Sequence, residues 1–207
     1  MKKQIPDTTW LDHIEIVGGH PAVDFINTVH SYTEPTPRDY LESADHVLGW
    51  HLHQGLIHVE SARRLASLSP VKRKKLLTDS LALRATLYAV FKGHIDARSD
   101  APALACLNRE LETLARWRTL DADTGSFAWH CHVTPEHPHS LLGPVAFAAA
   151  ELLRSKDLKR LKVCPGDDCG WLFLDHSRNG SRTWCSMKTC GNIAKQRRHR
   201  TRQVHAD

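Results

Sequence analysis

The chain has 207 residues, 28 Lys+Arg against 23 Asp+Glu for a net charge of +5, 41% hydrophobic and 25% charged residues. These values match ordinary globular proteins, and no apolar run reaches the roughly 18 residues a membrane helix needs, so a helical membrane protein and a disordered chain are both excluded. The opening MKKQIPDTTWLDHIEIVGG sets two lysines before polar residues and a proline, with no apolar stretch behind them. It does not read as an export signal, and a cytoplasmic location is expected, where six cysteines stay thiols or bind metal rather than form disulfides.

The predicted elements begin after Gly18-Gly19, where Val23, Phe25, Ile26 and Val29 give a loop and then a short helix within His20–His30. Glu34-Pro-Thr-Pro-Arg38 interrupts it. Leu41, Ala44, Val47, Leu48 and Leu52 then stand at helical spacing over Tyr40–His53, and another helix is expected over Val59–Leu68. Ser69-Pro70 suits a helix start, since a first-turn proline loses no hydrogen bond, and Leu76 to Phe91 sustain a long helix to about Gly93. Pro102 opens a further helix through Leu114; Thr119–His132 alternates around Thr124-Gly125 as a hairpin; Ser140–Ser155 is the most apolar helix.

Charge is unevenly divided. Residues 154–207 hold 13 Lys+Arg against 5 Asp+Glu, a balance of +8, which leaves −3 for residues 1–153. A mildly acidic body with a basic C-terminal module is a layout suited to a polyanionic partner. The expected fold class is mainly α: a helical domain with a small β-hairpin at 1–157, and a four-cysteine, treble-clef-like zinc finger with a basic helix at 158–207.

Cys164 and Cys169 are separated by four residues, as are Cys185 and Cys190, with fifteen between the pairs. Two short-range pairs joined by a loop suit one tetrahedral zinc ion, although the commonest ribbon spacing is two residues; four scattered buried thiols are the alternative. Trp171–Leu174 is expected as a strand, Asn179-Gly180 as a tight turn, Arg182–Cys185 as the returning strand, and Asn192 as N-cap of a helix over Ile193–Val204. A segment of about 45 residues can hardly build its own apolar core, and a metal can replace one, with a core separate from that of the body. In the helix, Lys195, Arg197, Arg198, Arg200 and Arg202 fall within about two turns, and with Arg182 they form a candidate phosphate-binding surface; a solvated charged terminus is the alternative.

CPGDDCGWLFLDHSRNGSRTWCSMKTCGNIAKQRRHR resembles the CGNR zinc-finger family at Phe173, Asp175, Ser177, Asn179, Arg182, Trp184, Cys185, Met187, Cys190, Gly191 and Asn192. GGHPAVDFINT at Gly18–Thr28 is similar to the opening of the ABATE domain, a helical domain described as a stress-induced transcription regulator. The resemblance implies DNA binding and regulation. Ile193 stands where the CGNR family carries arginine.

Elsewhere, the histidines at 46, 51, 53 and 58 and at 130, 132, 137 and 139 read as loop residues, with a second metal site around Cys131 as the sharper alternative. Cys106 is expected in the core. Asp24, Asn27 and Thr28 share one helix face, where they either line a ligand pocket or cap backbone and pair with a buried arginine such as Arg84. No catalytic motif stands out. The expectation is therefore a DNA-binding transcription regulator with Zn2+, no enzymatic activity, a small-molecule effector and a homodimer as further expected partners. An enzyme or small-molecule binder with a structural finger, or an RNA-binding module, is the alternative.

Overall fold

Three serine or aspartate caps fix where the body's helices begin. Ser43, Ser69 and Asp100 accept the backbone N–H groups of His46, Lys72 and Ala103, and prolines follow the last two in the first turn. In the computed structural model, which describes residues 6, 8–98 and 100–204 (side chains of 123, 199 and 202–204 excepted), the helices are α1 Pro21–Ile26, α2 Ala44–His53, α3 Val59–Ala66, α4 Pro70–Ile95, α5 Ala101–Ala115, α6 Gly143–Arg154 and α7 Asn192–Val204. Strands β1 Arg118–Asp123 and β2 Ser126–Cys131 pair antiparallel, as do β3 Leu161–Val163 and β4 Leu172–Leu174. The mainly α fold with a small hairpin is as expected. Among the described residues, no helix is long and apolar enough to cross a membrane.

The 26-residue α4 is the strut of the body, packing on α1, α2 and α5, with Leu83, Leu87 and Phe91 buried along it. Helix α2 starts at Ala44 rather than Tyr40. The amides of Tyr40 and Leu41 are held by the Thr28 carbonyl and the Asp39 carboxylate, so the chain there is a loop bridged to Val29 until Ser43 caps the helix.

Two expectations for the C-terminal segment are corrected. The partner of β4 is the upstream β3, not Arg182–Cys185. The 182–185 backbone is engaged by side chains instead: the Arg182 amide donates to Asp175, and the Arg182 carbonyl accepts from Lys162. Nor does Asn192 cap a helix. Its backbone is already helical, and a π-helical turn over Met187–Gly191, with the Gly191 amide donating to the Ser186 carbonyl at 3.0 Å, runs straight into α7.

The buried apolar cluster is continuous from Phe25, Trp50 and Leu87 to Trp171, Leu172, Phe173, Leu174 and three of the cysteines. The expectation of separate cores therefore gives way to one. The reason is visible in α1: Asn27 donates to the Leu172 carbonyl at 2.8 Å and accepts the Leu172 amide at 3.0 Å, so its carboxamide completes the open edge of β4. Trp171 donates its indole N–H to the Val29 carbonyl, the Tyr32 amide reaches the Cys169 carbonyl, and Thr33 donates to the Asp167 carbonyl.

Candidate metal centre and nucleic-acid interface

Strand β3 delivers Cys164, whose amide donates to the Trp171 carbonyl, and the loop beyond it brings Cys169 back to the same point. Gly166 permits this turn, since a Cβ there would lie 3.1 Å from the Cys169 Cβ and 3.2 Å from the Cys190 sulfur. Cys185 precedes the π turn and Cys190 lies on it.

All four sulfurs lie within 4.8 Å of one another, with Cys169–Cys185 at 3.6 Å and Cys185–Cys190 at 3.7 Å. A tetrahedron of sulfurs about 2.3 Å from a central ion has edges of about 3.8 Å, so the arrangement fits a metal ion of zinc's preference. Charge leads the same way. Hydrogen bonds from Cys169 and Cys185 stabilise a thiolate at Cys164, whereas Cys169 is pushed up to about 12, first by its bond to Cys164, and Cys185 is raised by both neighbours. Without a cation the cluster holds one negative charge comfortably; a divalent cation lets the others ionise.

Behind the sulfurs lies a buried polar knot. Asp175 accepts from Lys162 Nζ at 2.6 Å, the Ser177 amide at 2.9 Å and hydroxyl at 2.5 Å, and the Arg182 amide at 2.9 Å. Lys162 above all holds its carboxyl well below the usual carboxylate range. Arg182, expected on the phosphate-binding surface, belongs to this knot instead. Its guanidinium lies 4.5 Å over the Phe173 ring and donates to the carbonyls of Val17, Leu174, Trp184 and Cys185. Lys162 escaped the sequence reading because a lone lysine in a strand carries no pattern; the Asp-x-Ser spacing of 175 and 177 was its only echo.

The basic helix is a different surface. Lys195, Arg197, Arg198 and Arg200 are exposed on α7, while the side chain of Arg202 lies outside the described residues. Arg197 is ion-paired with Asp167 of the cysteine loop, and Arg198 Nε contacts the Ala194 carbonyl at 3.4 Å. Both arginines line a cleft with Asp168, Trp184 and Ile193. Ile193 is 57% exposed there, so the residue replacing the family arginine faces solvent beside the cations.

Asp24, Asn27, Thr28 and Arg84 are all buried, and of the four Arg84 meets Thr28, its Nη1 lying 3.1 Å from the Thr28 hydroxyl. Asp24 does not pair with Arg84: it accepts the Gly18 amide at 2.7 Å, and burial raises its carboxyl to about 6 despite that bond and Arg182 nearby. Arg84 binds the Thr28 carbonyl at 2.8 Å and forms a two-point ion pair with Asp39. Asp39 was missed because it lies in a loop without periodic pattern.

The histidines are not all loop residues. His51 is fully buried, with burial lowering its imidazole to about 4 and Nδ1 bonded to the Val47 carbonyl. His139 bridges Asp79 and Glu110, His132 meets Thr119, and His137 packs on Trp117, so the second metal site around Cys131 is not assembled. Among the described residues the one metal-like cluster is the cysteine quartet. Cys106 is half-buried against Arg109 rather than in the core.

Comparison with known families gives two matches in chain order. The ABATE model, described as "Putative stress-induced transcription regulator", matches residues 19–156, and the CGNR zinc finger model matches residues 160–203. No curated protein matches the chain.

Proposed function

Because the chain belongs to the ABATE family and ends in a CGNR zinc finger, we propose that it is a zinc-containing, DNA-binding transcription regulator whose helical body senses a ligand or stress signal. Cys164, Cys169, Cys185 and Cys190 hold the ion. Lys195, Arg197, Arg198 and Arg200, joined by Arg202, contact phosphates. The observation that carries the reading is the exposure of Lys195, Arg197, Arg198 and Arg200 on a helix rooted in the cysteine cluster by the turn that precedes it. Such a helix offers rigid, closely spaced positive charge, and phosphate contacts of this kind position a protein on a duplex without reading bases. The sensing role rests on the family description alone.

The acidic cysteine loop adds a competitor. Asp167 occupies Arg197, so phosphate must displace a carboxylate before it gains that cation. Fluorescence anisotropy with duplex DNA and single-stranded RNA across a salt series tests the reading. Neutralising Arg197 and Arg198 together is expected to weaken duplex binding and flatten the log-log salt slope by about 1.8. Asp167→Asn is expected to strengthen it. Unchanged affinity and slope in the double variant, with the fold intact, overturns DNA as the partner, and stronger binding to the RNA moves the proposal to that polymer.

A further inference from the structure

The base rung of the β1–β2 hairpin, Arg118 opposite Cys131, carries a cation against the body. The Arg118 side chain is only 17% exposed, and its guanidinium lies over two rings, 4.2 Å from the centre of Trp129 and 4.3 Å from that of Phe147 on α6. Stacking engages the flat face of such a cation and leaves its N–H donors, which lie in the guanidinium plane, for other partners. Here the acceptors run out. Nε is buried with no hydrogen-bond partner, and among the described residues the one acceptor of the guanidinium is Glu151, 3.4 Å from Nη2. A guanidinium has five N–H donors and buried polar groups are nearly always paired, so this cation has donors left to give.

The cation borders a cleft. Its volume is ≈ 480 Å³, within the range of about 300–1,000 Å³ usual for small-molecule sites. Three segments meet to form it: the α2–α3 connection, the hairpin base, and the face of α6 that carries Pro144, Phe147, Ala148 and Glu151 at helical spacing. Leu56, Ile57, Val133, Pro144 and Ala148 supply apolar wall, whereas Arg118, Glu151 and Ser61 supply polar groups, with His58 and His130 at exposed positions. Charge then sets the class of ligand. Glu151, its side chain 57% exposed and its oxygen at 3.4 Å, is a loose partner that solvent can take back. One guanidinium so released matches one carboxylate in charge and in fork geometry, and the wall matches a hydrocarbon or aromatic remainder. A doubly charged phosphate would find no second arginine or lysine among the described lining residues.

We propose that this cleft binds a small organic monocarboxylate, its carboxylate taken by Arg118 in place of Glu151 and its apolar part lying between the α2–α3 connection and α6. The site gives the sensing role of the helical body a location, and it rests on that reading for its consequence, while the binding itself is measured without nucleic acid.

Isothermal titration calorimetry of the full zinc-loaded chain with phenylacetate, 3-phenylpropionate and hexanoate, each against its uncharged primary amide, is the test. At least one carboxylate is expected to bind with a dissociation constant below about 1 mM. Its amide is expected to bind at least about tenfold more weakly, because a charged hydrogen bond gives way to a neutral one. Arg118→Gln is expected to abolish the preference for acid over amide. Ala148→Phe, which fills the cleft from a half-buried wall position and leaves Arg118 in place, is expected to abolish binding of both. Glu151→Gln, a change at an exposed side chain, removes the competitor and is expected to strengthen carboxylate binding by about two- to fivefold. Failure of all three carboxylates to bind, equal binding of acid and amide, or an affinity untouched by both Arg118→Gln and Ala148→Phe in folded protein overturns the proposal. The sensing role is judged separately: a carboxylate that binds here yet leaves the affinity for duplex DNA unchanged upholds the site and overturns that role.

Discussion

Strands β1 and β2 run six residues each yet stand with Leu120, Phe127 and Trp129 in solvent, whereas β3 and β4 run three residues each with every residue of β4 buried. Ladder length does not anchor a sheet here. The short sheet has its free edge completed by Asn27, its far side covered by the body's core, and its end tied by Asp175, Lys162 and Arg182. The long sheet holds the body mainly at its base rung. One is a joint through which stress passes between cysteine cluster and helices; the other is an appendage that can open alone.

The largest effect that can break this contrast comes from the metal site. Structural zinc contributes on the order of 10 kcal/mol or more to small modules, comparable to the whole stability of a domain. Cys185→Ser, or chelation, is therefore expected to unfold β3, β4 and α7, and to loosen α1 and α4 as well, because Phe173 and Leu172 leave a shared cluster. Hydrogen exchange read segment by segment checks this. Full protection of α1 after loss of the cysteine site would mean that the cores are independent after all, while the β1–β2 hairpin is expected to be indifferent.

Next comes the joint itself. Asn27→Ala leaves the Leu172 amide and carbonyl buried and unpaired, at about 1–3 kcal/mol for each group. A loss of about 2–5 kcal/mol is expected, seen as a melting temperature lower by about 5–15 °C with zinc content unchanged. A shift below about 1 kcal/mol would mean that water replaces the carboxamide and that β4 is held by its side chains alone.

These two variants mark where the sequence was legible. Most helices and the β1–β2 hairpin could be read because periodicity, Ser69-Pro70, Pro102 and Thr124-Gly125 all act locally, whereas the Ser43 cap was overlooked and α2 was begun four residues early. The cysteine spacing placed the four sulfurs together for a similar reason, as two short loops need only one meeting point. What could not be read were partners distant in sequence: β3 for β4, Asp39 for Arg84, Lys162 for Asp175, and the carbonyls that engage Arg182. Each is chosen by tertiary packing, and an arginine bound for carbonyls has the same letter as one bound for phosphate.

Asp24 sharpens the same lesson. An ion pair with Arg84 would make Asp24→Asn costly, but the carboxyl has no such partner and burial lifts it to about 6 from 3.8. A raised folded value means that its stabilising contribution is complete below 3.8 and lost as pH rises through 6. At pH 7 the buried charge costs on the order of 2–3 kcal/mol. Asn still accepts the Gly18 amide, so the variant is expected to be as stable as wild type or more so at pH 7. The advantage should shrink as pH falls from 7 to 5. Comparing the two proteins at each pH cancels acid release of metal from the cysteines; a variant less stable at pH 7 would restore a charged partner for Asp24.

The smallest effect separates joint from appendage most cleanly, because it applies one strain at two places. Gly125 in the β1–β2 turn has φ +85° and Gly180 in the loop beyond Asp175 has φ +60°, and a Cβ at either would meet no atom within 4 Å. Alanine at each position therefore costs only the left-handed backbone penalty, about 1–2 kcal/mol. The two sites differ in what they are tied to. The Gly180 carbonyl accepts from Lys162 Nζ at 2.7 Å, the same ammonium that holds Asp175, so strain there reaches β3 and the polar knot. The Gly125 turn ends a hairpin whose Leu120, Phe127 and Trp129 stand largely in solvent. Gly180→Ala is expected to lower the global melting temperature by about 2–6 °C. Gly125→Ala in dilute protein is expected to leave that temperature unmoved and to speed hydrogen exchange only in the outer β1–β2 amides. Equal global shifts in both variants would show that the hairpin unfolds with the body, and would make the long sheet as much a joint as the short one.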